Sequence, residues 1–229
     1  MQERRRRPES RKGRPTLTRE RIARAALRIL GASGPAELTM RNVAAELEVS
    51  PRALYNYVAD RDDLLREVMA VCQADRPQPR LDPARWRESL GDYCRELRGW
   101  YRSHRGMLAL AHTEDLTYLV APGHLRADDA LVGFFLDIGL APQEAYRAWT
   151  ITVLQVAGFA EVWDSWHDHP PAGADPASWT ELPASAELPG PAELPHLRRL
   201  GGEAAAEPPD ELFESVIAML TSGIAAMAG

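Results

Sequence analysis

Apolar residues spaced three and four apart mark out the helices of this 229-residue chain, and small oxygen-bearing residues mark where each helix starts. Ile22, Ala25, Ala26, Ile29 and Leu30 line one face of a helix predicted from Thr18 to about Ala32. Leu17 and Ile22 flank the Thr18 cap as a hydrophobic staple, and Gly31 with Gly34-Pro35 ends the helix. Thr39, Ser50 and Asp60 then stand at three successive N-cap positions, each with an oxygen for an orphan backbone N–H. Leu38 with Val43 staples the first of these caps, and Val49 with Leu54 the second. Pro51 falls at N1, where its missing N–H costs nothing. The pattern predicts a short helix from Met40 to Leu47, a tight turn, and a second helix from Pro51 to about Tyr57. A fourth helix runs from Asp60 to about Ala74, with Leu64, Leu65, Val68, Met69 and Cys72 apolar.

Arg76-Pro77-Gln78-Pro79 interrupts this pattern and is read as a domain boundary. Beyond it a long helix is predicted from Pro83 to about His104, followed by shorter helical pieces near 106–120 and a helix from Gly123 to Ile138. The stretch from Pro142 to His167 is apolar on two faces. One holds Trp149, Val153, Val156, Ala160 and Trp163; the other holds Ile151, Leu154, Gly158 and Val162. A helix apolar on two faces must be covered on two sides, so one side requires a partner. Residues 168–209 are rich in Pro, Ala and Glu and repeat Glu-Leu-Pro at 181, 187 and 193, which predicts an extended loop. Asp210 is read as the cap of a last helix with an apolar stripe of Phe213, Val216, Ile217, Leu220, Ile224 and Met227.

Two short helices joined by a tight turn make a helix-turn-helix, whose second helix can lie in the DNA major groove. Leu38-Thr39-Met40-Arg41, Val43-Ala44, Leu47, Val49-Ser50, Leu54-Tyr55, Tyr57 and Asp60 to Leu65 resemble the DNA-binding domain of the TetR family of repressors. Leu194 to Leu200 resembles the segment before the last helix in members with the tetracycline-repressor style of C-terminal domain. Glu48 departs from the pattern, standing where the family usually has Gly; a positive φ there strains a Glu by roughly 1 kcal/mol. The implied fold is all-α, with about nine or ten helices. A basic arm at 1–15, expected to be disordered, precedes a helix-turn-helix domain over 16–75 and a larger ligand-binding and dimerisation domain over 80–229.

Charge supports that order. The net charge is −6, yet residues 1–65 carry +5 and the remainder −11, so a basic end suited to DNA precedes an acidic body. Cys72 and Cys94 form no Cys-x-x-Cys pair and read as small core residues of a protein in a reducing, cytoplasmic compartment. No apolar run reaches the length of a membrane span or a signal peptide.

Arg52, near the start of the second helix, can reach a guanine edge bidentately, while Thr39, Tyr55, Tyr57 and Arg61 can donate to phosphates. Ala53 lets the backbone approach the groove or touches a thymine methyl. Arg41, Ser50, Pro51 and Asn56 complete the expected DNA-facing set. The family resemblance implies a ligand pocket in the second domain. Trp100, Tyr101, His104, Met107, His112, Phe134, Trp149, Phe159 and Trp163 are its candidates; taken singly each reads as core. A homodimer is expected through Val153, Val156, Ala160, Phe213, Val216, Ile217, Leu220 and Ile224. Asp164, His167, Asp168 and His169 imitate a metal cluster but sit at a helix end beside prolines, so no metal and no cofactor are expected. No catalytic motif is present, and the chain is read as no enzyme. The expected function is a transcriptional repressor released from a palindromic operator by a small molecule. The alternative is an effector-independent or architectural DNA-binding protein.

Overall fold

The computed structural model describes residues 10–11, 14–114, 122–170, 172–174, 195–196, 199–200 and 207–227. In chain order the α-helices are α1 (Arg19–Ser33), α2 (Met40–Glu46), α3 (Pro51–Leu54), α4 (Arg61–Asp75), α5 (Trp86–Ser103), α6 (Met107–Thr113), α7 (Pro122–Asp137), α8 (Pro142–Gly158), α9 (Ser165–Asp168) and α10 (Pro209–Met227). Most of the 168–209 stretch, and residues 1–9 and 12–13 of the arm, lie outside the described residues. Among the described residues of the arm, Ser10–Arg11 pairs antiparallel with Arg14–Pro15, where no structure was expected.

Packing divides the chain into two units, the first through Arg76 together with His104–His124, the second from Pro77 to Ser103 and from Leu125 onward. In the first unit, α1 packs along α4 and against α2. Its core includes Ile22, Ala25, Ala26, Leu30, Leu38, Val43, Ala44, Leu54, Val58, Leu64, Leu65 and Val68, most of them stapled or periodic positions, whereas Leu17, Ile29, Val49 and Met69 of those patterns are half-buried. α6 packs against α1 in the same unit, on the far side of the Arg76-Pro77 break in sequence. Gly106 makes that approach possible: it adopts φ 79°, and a Cβ there would collide with the Leu30 carbonyl. His104, next to it, is buried with Nε2 at 3.4 Å from Asp75 at the end of α4. α1 runs through Gly31 and ends at Gly34, whose N–H donates to the Leu30 carbonyl at 3.0 Å.

The second unit builds its core from α5, α7, α8 and α10. Leu90, Tyr93, Cys94 and Leu97 meet Leu131, Phe134, Phe135, Leu140, Ala145, Ala148, Val156, Phe213, Ile217, Leu220 and Ile224. Each fully buried Leu or Phe contributes about 1.5–3 kcal/mol. The exposed pairs Arg95–Glu214 and Arg102–Asp168 contribute at most about 1 kcal/mol each, so the apolar core decides this unit. Two expectations change here. Asp210 lies in the first turn of α10 rather than at its cap, and its carboxylate is 3.0 Å from Arg98 Nη1. The helix expected to run unbroken to His167 passes instead through a π-helical turn at Phe159–Asp164. That wider turn brings Asp164 onto the buried face in line with Thr152, Val156 and Ala160. Asp164 is 1% exposed and accepts two hydrogen bonds from Arg98, at 2.7 and 2.6 Å. The Arg98 guanidinium lies over the rings of Phe159 and Phe213, at 4.9 and 4.6 Å from their centroids.

Candidate nucleic-acid interface

The helix-turn-helix is built from its caps. Thr39 Oγ1 accepts the Asn42 N–H at 3.1 Å, Ser50 Oγ the Ala53 N–H at 3.3 Å, and Asp60 Oδ1 the Asp63 N–H at 2.7 Å. Each cap was legible in the sequence. The second helix is shorter than its pattern predicted, because α3 closes after one turn at Leu54. Tyr55 to Tyr57 continue as turns, with the Tyr57 and Val58 N–H groups both donating to the Leu54 carbonyl, at 2.8 and 3.0 Å. Leu54 and Val58 are buried and anchor the segment from behind. The turn before it holds Glu48 at φ 52°, the left-handed conformation that favours glycine.

What this anchoring leaves outside is the chemistry of a groove reader. Arg41, Ser50, Pro51, Arg52, Tyr55 and Asn56 are exposed; Tyr55, at 53%, is a large aromatic held in solvent beside cations. Among the described residues neither Arg41 nor Arg52 has an ion-pair partner. Thr39 is exposed, its hydroxyl oxygen accepting the cap bond and its O–H left to donate, and Ala53 and Tyr57 are half-buried. Arg61 is not free as expected. Its Nη2 lies 2.6 Å from Glu114 Oε1, Nε donates to the same oxygen at 3.3 Å, and Nη1 donates to the Leu38 carbonyl. Glu114 caps the end of α6, so the phosphate ligand expected from the sequence is held by an internal carboxylate.

A second charged group lies behind the surface and was not foreseen. Arg19 Nη1 donates to the Tyr57 carbonyl at 2.6 Å, Nη2 to Asp63 Oδ1 at 2.5 Å, and Nε is 2.8 Å from Glu67. Asp63 Oδ2 accepts the Ala59 N–H at 2.9 Å, and Oδ1 also accepts from Arg66 at 2.7 Å. The Ala59 N–H, joined by Arg19 and Arg66, outweighs burial and holds the Asp63 carboxyl below its ordinary value. Arg19 and Asp63 stand 44 residues apart, each in the first turn of its own helix, and no local signal joins them.

The expected ligand-site residues divide between the units. His104, Met107 and His112 belong to the first, where His104 and Met107 are buried and His112 is exposed. Trp100, Tyr101, Phe134, Trp149, Phe159 and Trp163 belong to the second. Trp100, Tyr101, Trp149 and Phe159 pack against its core, with the Trp149 indole donating to Asp128 at 3.3 Å. Trp163 Nε1 is buried with no hydrogen-bond partner among the described residues. Arg98 and Asp164 were missed as a pair, and Asp168, the other carboxylate of the supposed metal cluster, pairs with Arg102. The thiols of Cys72 and Cys94 are pushed up to about 12 by burial, so neither is a thiolate at neutral pH.

The expected dimer set also divides. Val156, Ala160, Phe213, Ile217, Leu220 and Ile224 are buried in the unit's own core, and Val153 and Val216 are half-buried beside it. The apolar side chains left in solvent include the other face of α8 and its continuation, Ile151, Leu154 and Val162, with Met219 of α10; Leu154 is 65% and Met219 76% exposed. A groove of about 230 Å³ runs between the two helices, lined by Ile151, Gln155, Val216, Met219, Gly223 and Met227 among others.

Known proteins carry the same arrangement. Residues 22–68 match the family of bacterial regulatory proteins of the tetR family, and residues 78–228 match the tetracyclin repressor-like C-terminal domain. The chain is 32% identical over 144 residues to the HTH-type transcriptional repressor DrrR1 of Streptomyces coeruleorubidus, a match spanning 62% of this chain and 52% of that protein. An HTH-type transcriptional regulator of Saccharopolyspora erythraea is 26% identical over 224 residues, 97% of this chain and 91% of the relative. ActR of Streptomyces coelicolor, solved in complex with actinorhodin, matches in structure with a TM-score of 0.71 at 27% identity, covering 93% of this chain and 97% of ActR. With both halves matched, and the capped helix-turn-helix in place, the chain belongs to the TetR family of bacterial transcriptional regulators.

Proposed function

We propose that this regulator is a homodimeric repressor that binds a palindromic operator and leaves it when a small molecule occupies the second unit. The observation that carries the reading is the capped helix-turn-helix with Arg41, Arg52, Tyr55 and Asn56 exposed in a basic N-terminal segment. Arg52 reads a base edge, and Thr39, Arg41, Ser50, Tyr55, Asn56 and Tyr57 position the segment on the backbone, with Pro51 and Ala53 at the groove. A second copy covers Ile151, Leu154, Val162 and Met219, since apolar side chains so exposed at helical spacing suit an interface. Two copies then present two recognition segments to half-sites about one DNA turn, or a multiple, apart. The protein acts by binding, without catalysis, in the cytoplasm. Among the described residues no helix is long and apolar enough to cross a membrane.

The effector is read as an aromatic or largely apolar small molecule. Support comes from the aromatic candidates of the second unit, the Trp163 indole N–H without a partner among the described residues, and the relative ActR, whose solved complex contains actinorhodin. Such a ligand shifts the DNA equilibrium only by its differential affinity for the two forms, typically about 1–3 kcal/mol. Linkage makes the effect reciprocal, so operator DNA must weaken ligand binding by the same factor. Calorimetry of a ligand found by thermal-shift screening, with and without operator, tests this. Equal affinity in the two titrations would refute the coupling.

A further inference from the structure

We infer that Arg19, acting through Asp63, positions the recognition segment for base reading and so sets operator specificity without touching DNA; this rests on the DNA-binding reading above. The recognition segment has only one turn of regular helix, Pro51–Leu54, and reaches α4 through a connector at Val58–Asp60. So short a helix has almost no rigidity of its own. What fixes its pitch is the connector. The Tyr57 C=O on one side of Val58 accepts from Arg19, and the Ala59 N–H on the other side donates to Asp63, the same carboxylate that Arg19 holds. These bonds close a ring around Val58, whose side chain is fully buried. The ring is anchored in α1 by Arg19 and in α4 by Asp63 and Glu67. A planar guanidinium with three nitrogens placed on a carbonyl and two carboxylates can hold this geometry; a point charge cannot. Arg19 is 43% exposed, so solvent screens its side of the pair with buried Asp63, and the pair's two bonds to backbone groups of the connector point to a geometric role. Each of the three guanidinium nitrogens makes an inward contact, so three of the five N–H donors of Arg19 are committed to the ring and to Glu67.

The experiment uses the full-length protein and the duplex that the wild type enriches from a pool of random sequences, with a scrambled duplex as non-specific control. Affinities are read by fluorescence anisotropy over a salt series, at a temperature where circular dichroism shows each variant folded. Arg19→Gln should lose roughly tenfold on the enriched duplex, the scale of one misplaced base contact, with affinity for the scrambled duplex and the salt slope unchanged. Arg19→Lys keeps the charge without the fork and should fail in the same direction; it also serves if Arg19→Gln does not fold. Wild-type affinity and selectivity in the folded variant would overturn the inference. So would an equal loss on both duplexes with a slope reduced by about one, which would make Arg19 a phosphate ligand. If the wild type enriches no duplex at all, the DNA-binding reading fails and takes this inference with it.

Discussion

Arg52 and Asp63 show how differently single residues contribute. Arg52 is exposed at the start of α3, so the folded unit neither needs nor hides it. Arg52→Ala should leave the melting temperature unchanged, cost about 1–3 kcal/mol on the operator, and relax preference at one base pair, as measured by anisotropy at fixed salt. Wild-type affinity would rule out base reading by this side chain. Asp63 is the reverse case, buried behind the same surface with its carboxyl held below the ordinary value. The folded unit therefore binds fewer protons than the unfolded chain once the pH drops to about 4, where an ordinary Asp titrates. The stability that Asp63 contributes is complete at neutral pH and is lost as the pH falls from there through its depressed folded value. Urea titrations of wild type and Asp63→Asn should show the gap between them narrowing toward acid. A gap that is constant from neutral pH to acid would mean that the ionised form is not favoured by folding.

At the scale of the element, α6 changes the meaning of α4. By its position in the sequence, Arg61 at the first turn of α4 reads as a phosphate ligand, with the free N–H groups of a helix N-terminus around it. In the structure Glu114, at the end of α6, takes two of its N–H groups onto one oxygen, and Leu38 takes a third. Glu114 neutralises the charge that a phosphate would meet, so α6 competes with DNA for one cation. Glu114→Ala removes the competitor while leaving the Leu38 contact. It should strengthen binding to non-specific and operator DNA alike and steepen the dependence of log K on log salt by about one. An unchanged slope in the folded variant would show that Arg61 makes no phosphate contact.

For the whole molecule, the consequence lies on the surface of the second unit. Met219 is exposed at the groove between α8 and α10 and Leu154 is exposed on α8, whereas Leu220 and Ile224, which also line the groove, are buried. An acidic side chain at the exposed positions should therefore disrupt association without unfolding the subunit. Leu154→Glu and Met219→Glu are each expected to shift the sedimentation coefficient from dimer to monomer at micromolar concentration and to weaken operator binding, since two linked heads bind far more tightly than one. Variants that sediment like the wild type would place the dimer contact elsewhere. A wild type that sediments as a monomer would end the dimer reading.

The sequence by itself determined whatever depends on near neighbours. Thr18, Thr39, Ser50 and Asp60 each cap the helix they were read to start, because an N-cap bond spans only two or three residues. The helices and the helix-turn-helix were legible for the same reason; the positive φ at Glu48 was suggested only by the family resemblance, in which Gly usually stands there. Tertiary structure decided what joins residues distant in the chain. Nothing local links Arg19 to Asp63, Arg61 to Glu114 or Arg98 to Asp164, since each pair meets only when separate helices pack. It also placed α6 beside α1, across the Arg76-Pro77 break, where only Gly106 fits against Leu30. Periodicity showed that α8 has two apolar faces, but a repeat of three and four carries no direction. The core contacts of Val156 and Ala160 decided that their side is filled from within and that Leu154 faces out.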